Sequence, residues 1–493
     1  LTRHIQAISI EFHYLCLDCL FANRPAYGTS GLRSLYFLSV VAVTVFYLVY
    51  HMLAFSNWEY FSSPYVESLL FSALVCIVAA LYPSYVPGPL SPPRNLAILL
   101  LVFFPIFSLA YISTPDLGKW YLRYYSSTDF EKNLAVATFY TVISLPLFVI
   151  GYGIGEQSAA TRSRAHETEV FRTTGLGFFL VLLVIAIGFV GMVIYAGSIG
   201  GIGVVISEMQ SISNRIAWRE ISSRWYYAGM VLMTAPAVLA LAAIYQKKSL
   251  THIVATAALM IFASAILIIT QASREKAIFP LILFAVALFV FRRKDGRSSY
   301  GMYIAAIIVM FILVSAFVAQ SFLRSGSDGT FDITDILSDF NRLDVTAVMF
   351  VDYFTAGNDL LFGLPLLAYP NQFMVKLFEF EPIYNTSALL HRFIFLGDLN
   401  AGNPGSPLAG ELYMNFGLAG FLLFPIFGFV LARMYVNLHK SNYAFWNTIF
   451  FVVTLYFFVF KMCIYTGLSE SILMMALVYL PLILWKYMLR VRA

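Results

Sequence analysis

Apolar runs of close to twenty residues, separated by short polar stretches, recur along almost the whole chain. An α-helix needs about 20 apolar residues to cross the hydrocarbon core of a bilayer. Within that core only helices and closed barrels satisfy every backbone amide and carbonyl. The runs are continuous rather than alternating, so helices are the expected answer. They number about twelve, near 35–54, 65–83, 95–112, 134–152, 177–196, 228–246, 251–271, 276–292, 300–320, 415–437, 445–465 and 470–488. The chain is therefore expected to be an all-α polytopic membrane protein. Its composition agrees: of 493 residues 60% are hydrophobic and 12% charged, about half the charged share of a soluble protein. The net charge of +5 lies in short loops between the runs, and no nucleic-acid partner is expected.

Those loops fix an orientation. One alternate set holds Arg162, Arg164 and Arg172, then Lys247 and Lys248, then Arg292, Arg293, Lys294 and Arg297, then Arg433 and Lys440, and finally Lys486, Arg490 and Arg492. The positive-inside rule places these loops in the cytoplasm. Residues 1–34 carry Arg3, Arg24 and Arg33, and the pattern of Ile5, Ile8, Phe12 and Leu15 reads as an amphipathic helix on the same face. The expected organisation is this N-terminal segment, nine spans over 35–320, a large segment on the opposite face over 321–414, and three spans with a cytoplasmic tail over 415–493.

The segment between Gln320 and Asn415 is the feature a simple carrier lacks. Loops longer than about 15 residues are usually functional or disordered. This one has too many aromatic and apolar anchors for disorder, among them Phe340, Phe350, Tyr353, Leu361, Phe373 and Phe378. A large ordered segment on one membrane face points to a site that handles a bulky polar substrate beside lipid.

Several polar groups sit where the charge bias does not explain them. Arg274 lies between two apolar runs at the outer boundary. It faces a cavity or ligand, or it is a snorkelling anchor paired with Glu275. Arg342, in Asp339-Phe-Asn-Arg-Leu-Asp344, either binds an anion or pairs with its acidic neighbours. Arg324, Arg392, Arg215, Arg219 and Arg224 add cations on that side. Guanidinium groups near a lipid surface fit a phosphate or pyrophosphate, because the planar fork holds two oxygens at once. The densest motif runs from Gly402 through Asn403, Ser406, Glu411 and Tyr413 to Gly417. Glu411 is expected in the first turn of a helix. The helix dipole alone would favour it there, and a general base or hydroxyl clamp would also use it. His391 is a second candidate base, or an incidental loop histidine. Lys461 either lines the same cavity or snorkels near Glu470. No H-E-x-x-H, Cys/His cluster or Walker sequence is present, so neither a metal nor a cofactor is expected. Cys16 and Cys19 form a C-x-x-C without a βαβ context and read as incidental.

Three of these pieces together resemble the Wzy-type oligosaccharide repeat-unit polymerases of bacterial surface glycans, relatives of the O-antigen ligases. They are Ala272-Ser-Arg274 at the start of a span, Asn341-Arg342-Leu-Asp344 in the large segment, and Asn403-Pro-Gly-Ser-Pro-Leu-Ala-Gly-Glu411-Leu-Tyr-Met-Asn-Phe-Gly417 before a late span. The resemblance covers about residues 177–488. It implies a C-type glycosyltransferase architecture in the bacterial inner membrane, with the active site facing the periplasm. It also implies a metal-independent transfer between oligosaccharides linked to undecaprenyl pyrophosphate, with a chain-length regulator and a flippase as partners in O-antigen or lipopolysaccharide synthesis. Arg274 and Arg342 would bind the pyrophosphate and Glu411 would serve as base; His391, which matches no motif of the family, stays a candidate base on its chemistry alone. Arg392, Asn403, Ser406, Tyr413 and Lys461 would be further substrate contacts. A ligase-like transferase is the nearest alternative. A flippase or other transporter is the non-enzyme one, although no internal repeat of the transporter kind is visible.

Overall fold

The computed structural model of the chain describes residues 30–56, 64–85, 90–109, 130–161, 171, 175–208, 223–271, 274–294, 348–353, 357–368, 383–384, 386, 389–390, 408–460 and 478–487. Every regular element among them is helical. The principal helices are α1 (Ser30–Ser56), α2 (Pro64–Ala80), α3 (Pro92–Leu101), α4 (Phe130–Thr161), α5 (Gly175–Ser198), α6 (Ile202–Glu208), α7 (Ser223–Tyr245), α8 (Leu250–Gln271), α9 (Arg274–Lys294), α10 (Leu408–Phe416), α11 (Leu423–Lys440) and α12 (Phe445–Leu455). A π turn at Val102–Ile106, around Pro105, extends α3. A 3₁₀ turn at Gly417–Leu422 joins α10 to α11.

Among the described residues, six helical stretches are long and apolar enough to cross a membrane: Leu35–Ala54, Pro92–Leu109, Glu131–Ala160, Gly175–Ser198, Leu250–Thr270 and Leu408–Lys440. Pro64–Ala80, Val231–Tyr245, Phe279–Phe291 and Phe445–Phe458 are shorter apolar helices. The fold is thus that of a helical membrane-embedded protein. The expected span at 300–320, the N-terminal segment up to residue 29 and residues 470–477 of the last expected span lie outside the described residues.

The helices pack as two groups. In one, α4 is surrounded by α1, α2, α3, α10 and α11. In the other, α7 is surrounded by α5, α8 and α9, and α12 touches members of both groups. The centre of α7 is enclosed: Leu232, Met233, Ala235, Ala237, Val238, Leu239 and Leu241 are all fully buried. Its alanines keep it slim enough to be covered on every side. By contrast, Leu176, Phe179, Leu183, Ile187 and Val190 form an exposed apolar stripe on α5. In a bilayer such a stripe meets lipid tails without penalty.

The closest pairing is α4 with α11, and it is parallel. Tyr140 meets Tyr413 and Phe421 at one end. Gly151 meets Pro425 in the middle, Gly155 meets Phe429, and Lys440 reaches Ala159 at the other end. A Cβ on Gly151 would lie 2.0 Å from the Pro425 carbonyl oxygen, and one on Gly428 would lie 2.1 Å from that of Phe148. Small residues of this kind let helix backbones touch, which is how helices associate where lipid is as apolar as any side chain.

The sequence places the end of this span near 152, because Gly153 to Thr161 is polar. In the structure α4 continues to Thr161. The reason is Glu156, which is fully buried. It accepts hydrogen bonds from Tyr82 Oη at 2.8 Å, Ser84 Oγ at 2.6 Å and the Tyr85 amide at 2.7 Å. The turn after α2 thus supplies the donors that this carboxylate would otherwise take from water.

The helices around α7 alternate in direction, whereas α10 and α11 form one continuous stretch parallel to α4. One end of the array gathers Lys247 and Lys248 after α7, Arg293 and Lys294 at the close of α9, and Lys440 at the close of α11. There Phe171, Tyr245, Phe291 and Phe445 stack together. The opposite end holds the starts of α4, α9 and α10.

Candidate functional site at the start of α4 and α10

At that opposite end the long segment folds back onto the helices. Its short helical stretch 348–353 sets Phe350 against Gly410, where an added Cβ would sit 2.4 Å from the ring. Further along, the Leu361 amide donates to the Met414 carbonyl oxygen at 3.0 Å. Asn358 Nδ2 donates to the Tyr353 carbonyl oxygen at 2.8 Å, closing the chain after the short helix. Gly417, at φ +59°, turns the chain out of α10 beside Leu360, a backbone angle glycine adopts without strain.

Glu411 lies in the first turn of α10 and is fully buried. Thr386 Oγ1, from the long segment, donates to Glu411 Oε1 at 2.8 Å. Asn415, one turn further along the same face, donates from Nδ2 to the Glu411 carbonyl oxygen at 2.8 Å. Its Oδ1 is buried with no hydrogen-bond partner among the described residues. Two forces therefore act on Glu411: the helix dipole favours a carboxylate there, and Thr386 ties it to the segment above.

Tyr413 stacks on Tyr140 of α4 with ring centroids 4.4 Å apart, and Tyr140 Oη donates to Tyr413 Oη at 3.3 Å. Phe350, Val351, Gly410 and these two tyrosines line a small apolar cleft. Beside it, Asn133 Nδ2 from the start of α4 donates to Asp352 Oδ1. Asp352 is half-buried and lies outside the membrane-crossing helices. Loss of water pushes its carboxyl pKa up to about 6.

Of the residues singled out in the sequence, Glu411 and Tyr413 lie two positions apart on α10 at this end, Glu411 bonded to Thr386 and Tyr413 stacked on Tyr140. The backbone of Arg274 opens α9 at that same end. Phe279, five residues on, packs against Tyr456 and Phe457 beyond α12, and Phe458 packs against Phe427 of α11. Arg342, His391, Arg392, Asn403, Ser406 and Lys461 lie outside the described residues. Sequence reasoning missed Asn133, Asp352 and Thr386. Asp352 left one signal, a single acid within the apolar stretch from Val345 to Tyr353. Asn133 left none, since its partner lies 219 residues away.

Compared with protein-family models, with curated proteins and with solved structures, the chain matches none.

Proposed function

We propose that the chain is a metal-independent glycosyltransferase that joins undecaprenyl-pyrophosphate-linked oligosaccharide repeat units into a surface polysaccharide of the O-antigen type. On this reading it resides in the bacterial inner membrane with the Glu411 end in the periplasm. The observation that carries the proposal is the long segment fastened over one end of the helices, through Thr386 on Glu411 and Phe350 on Gly410. A carrier that alternates its access places its site near the bilayer midplane. Here the long segment and the carboxylates beneath it lie at one end of the helices, where lipid headgroups and their glycans would lie. The basic residues gather at the other end, which the positive-inside rule assigns to the cytoplasm.

The chemistry asked of such a site is modest. A pyrophosphate is already a good leaving group, so charge stabilisation and positioning suffice. Arg274 and Arg342, the positions that match the polymerase pattern, supply that charge. A carboxylate at the same end orients the acceptor hydroxyl and takes its proton.

Alanine at Arg274 or Arg342 should abolish polymer in cells while the protein still accumulates in the membrane. Lysine should rescue poorly, because the bidentate fork is lost. A normal polymer ladder from either alanine variant removes that arginine from the site. Normal ladders from both remove the pyrophosphate-binding basis of the proposal.

A further inference from the structure

Among the carboxylates at the Glu411 end, Glu411 and Asp352 are each held by a hydrogen bond from another part of the fold, and their surroundings divide the work between them. Glu411 has no exposed surface and already accepts from Thr386. Asp352 is partly exposed, is oriented by the Asn133 amide, and directly follows Val351, which lines the cleft with Phe350, Tyr140 and Tyr413. Resting on the polymerase reading, we propose that Asp352 is the catalytic base that takes the proton from the acceptor sugar, and that Glu411 is a positioning residue that holds the long segment in place.

The step balances as follows. The acceptor hydroxyl oxygen forms a new bond to the anomeric carbon of the donor glycan. The bond from that carbon to the pyrophosphate oxygen breaks, and its electron pair leaves with the lipid pyrophosphate. The hydroxyl proton passes to the Asp352 carboxylate and from there to water.

Three observations support the assignment. Proton transfer needs a group within reach of a ligand, and of the two carboxylates only Asp352 has exposed surface. Its orientation is set from outside its own segment, by Asn133 on α4, as a catalytic carboxylate requires. Its raised pKa leaves it ionised at neutral pH yet basic enough to accept a proton. Among the described residues, the other titratable groups at this end of the elements packed around it are Glu131, Lys132 and Tyr140 on α4, Tyr353 and Asp359 on its own segment, and Glu411 and Tyr413 on α10; Tyr152 and Glu156 lie towards the far end of α4.

The test uses purified full-length protein and the lipid-linked repeat unit that accumulates in cells lacking it. Glycan lengthening is followed from pH 5 to pH 8, alongside binding of the lipid substrate and the thermal midpoint. The wild-type rate should fall on the acid side through a midpoint near 6, because only the ionised carboxylate acts as base. Asp352→Asn should lose at least about a hundredfold in turnover while still binding the substrate. It should be at least as stable as wild type above pH 6, since it no longer half-buries a charge. Asp352→Glu should recover part of the rate with a displaced acid limb. An Asn variant with the wild-type rate and acid limb overturns the assignment. So does one that unfolds or only loses binding, since Asp352 is then structural or a binding group. Wild-type protein that lengthens nothing overturns the polymerase reading itself, and the assignment falls with it.

Discussion

At the residue scale the two carboxylates differ in what burial does to them. Burying an ionised group costs several kcal/mol unless partners replace its water, so the partners of Glu411 should be energetically visible. Thr386→Val keeps the shape and removes the donor to Glu411 Oε1. It should cost about 1–3 kcal/mol, the price of a buried acceptor left short of a donor, and thermal unfolding in detergent should show it. Thr386→Ser should cost less, because the hydroxyl remains. Equal midpoints for the valine variant and wild type would mean that the bond contributes nothing. The sequence singled out Glu411 and Tyr413 as candidates, because both stand in a dense Gly/Pro motif at a helix start. It did not reveal Thr386 or Asn133. Their roles come from contacts across 25 and 219 residues of chain, which no local pattern records.

At the scale of elements, apolar periodicity located the helices but misjudged their ends. The span expected at 134–152 became a helix that reaches Thr161. Its last turns are polar in sequence, yet Glu156 among them is buried in the fold, because Tyr82, Ser84 and the Tyr85 amide enclose it. The same stretch hid a packing device. Gly151 and Gly155, spaced one turn apart, let α4 lie directly on α11. Gly428→Leu should therefore be severe. Its Cβ would meet the Phe148 carbonyl at 2.1 Å and the Tyr152 amide at 2.7 Å. Backbone cannot swing aside as a side chain does. The cost should reach at least about 3 kcal/mol, the upper end of overpacking, and size-exclusion chromatography should show loss of the folded species. Gly197→Ala, with nothing within 4 Å of the new methyl, should be neutral or stabilising by up to about 1 kcal/mol. A folded Gly428→Leu protein would disprove the close parallel packing.

At the scale of the whole molecule the strongest regularity is the division of the two ends. One holds the cations that close α9 and α11; the other holds the long segment on α4 and α10. The alternation of basic loops in the sequence anticipated this separation for the described helices. It rests on hydropathy and charge, which act locally. What closes over Glu411 depends on how a distant segment returns to the helices, and composition has no hold on that. If the Lys440 end is cytoplasmic, Asp359→Cys in a cysteine-free background should react with a membrane-impermeant thiol reagent once the outer membrane is opened. Lys248→Cys should react only after the inner membrane is breached. The reverse pattern would put the proposed site on the wrong side for a periplasmic glycan.

The central claim is that this protein lengthens a lipid-linked glycan rather than moving it. The most direct measurement is reconstitution of the purified protein in vesicles with undecaprenyl-pyrophosphate-linked repeat units alone, with glycan length and lipid sidedness followed together. The account predicts longer glycans on the same lipid, release of undecaprenyl pyrophosphate, and no need for transbilayer movement. Transfer of the lipid across the bilayer with every glycan still one repeat unit long would contradict it and make the protein a transporter.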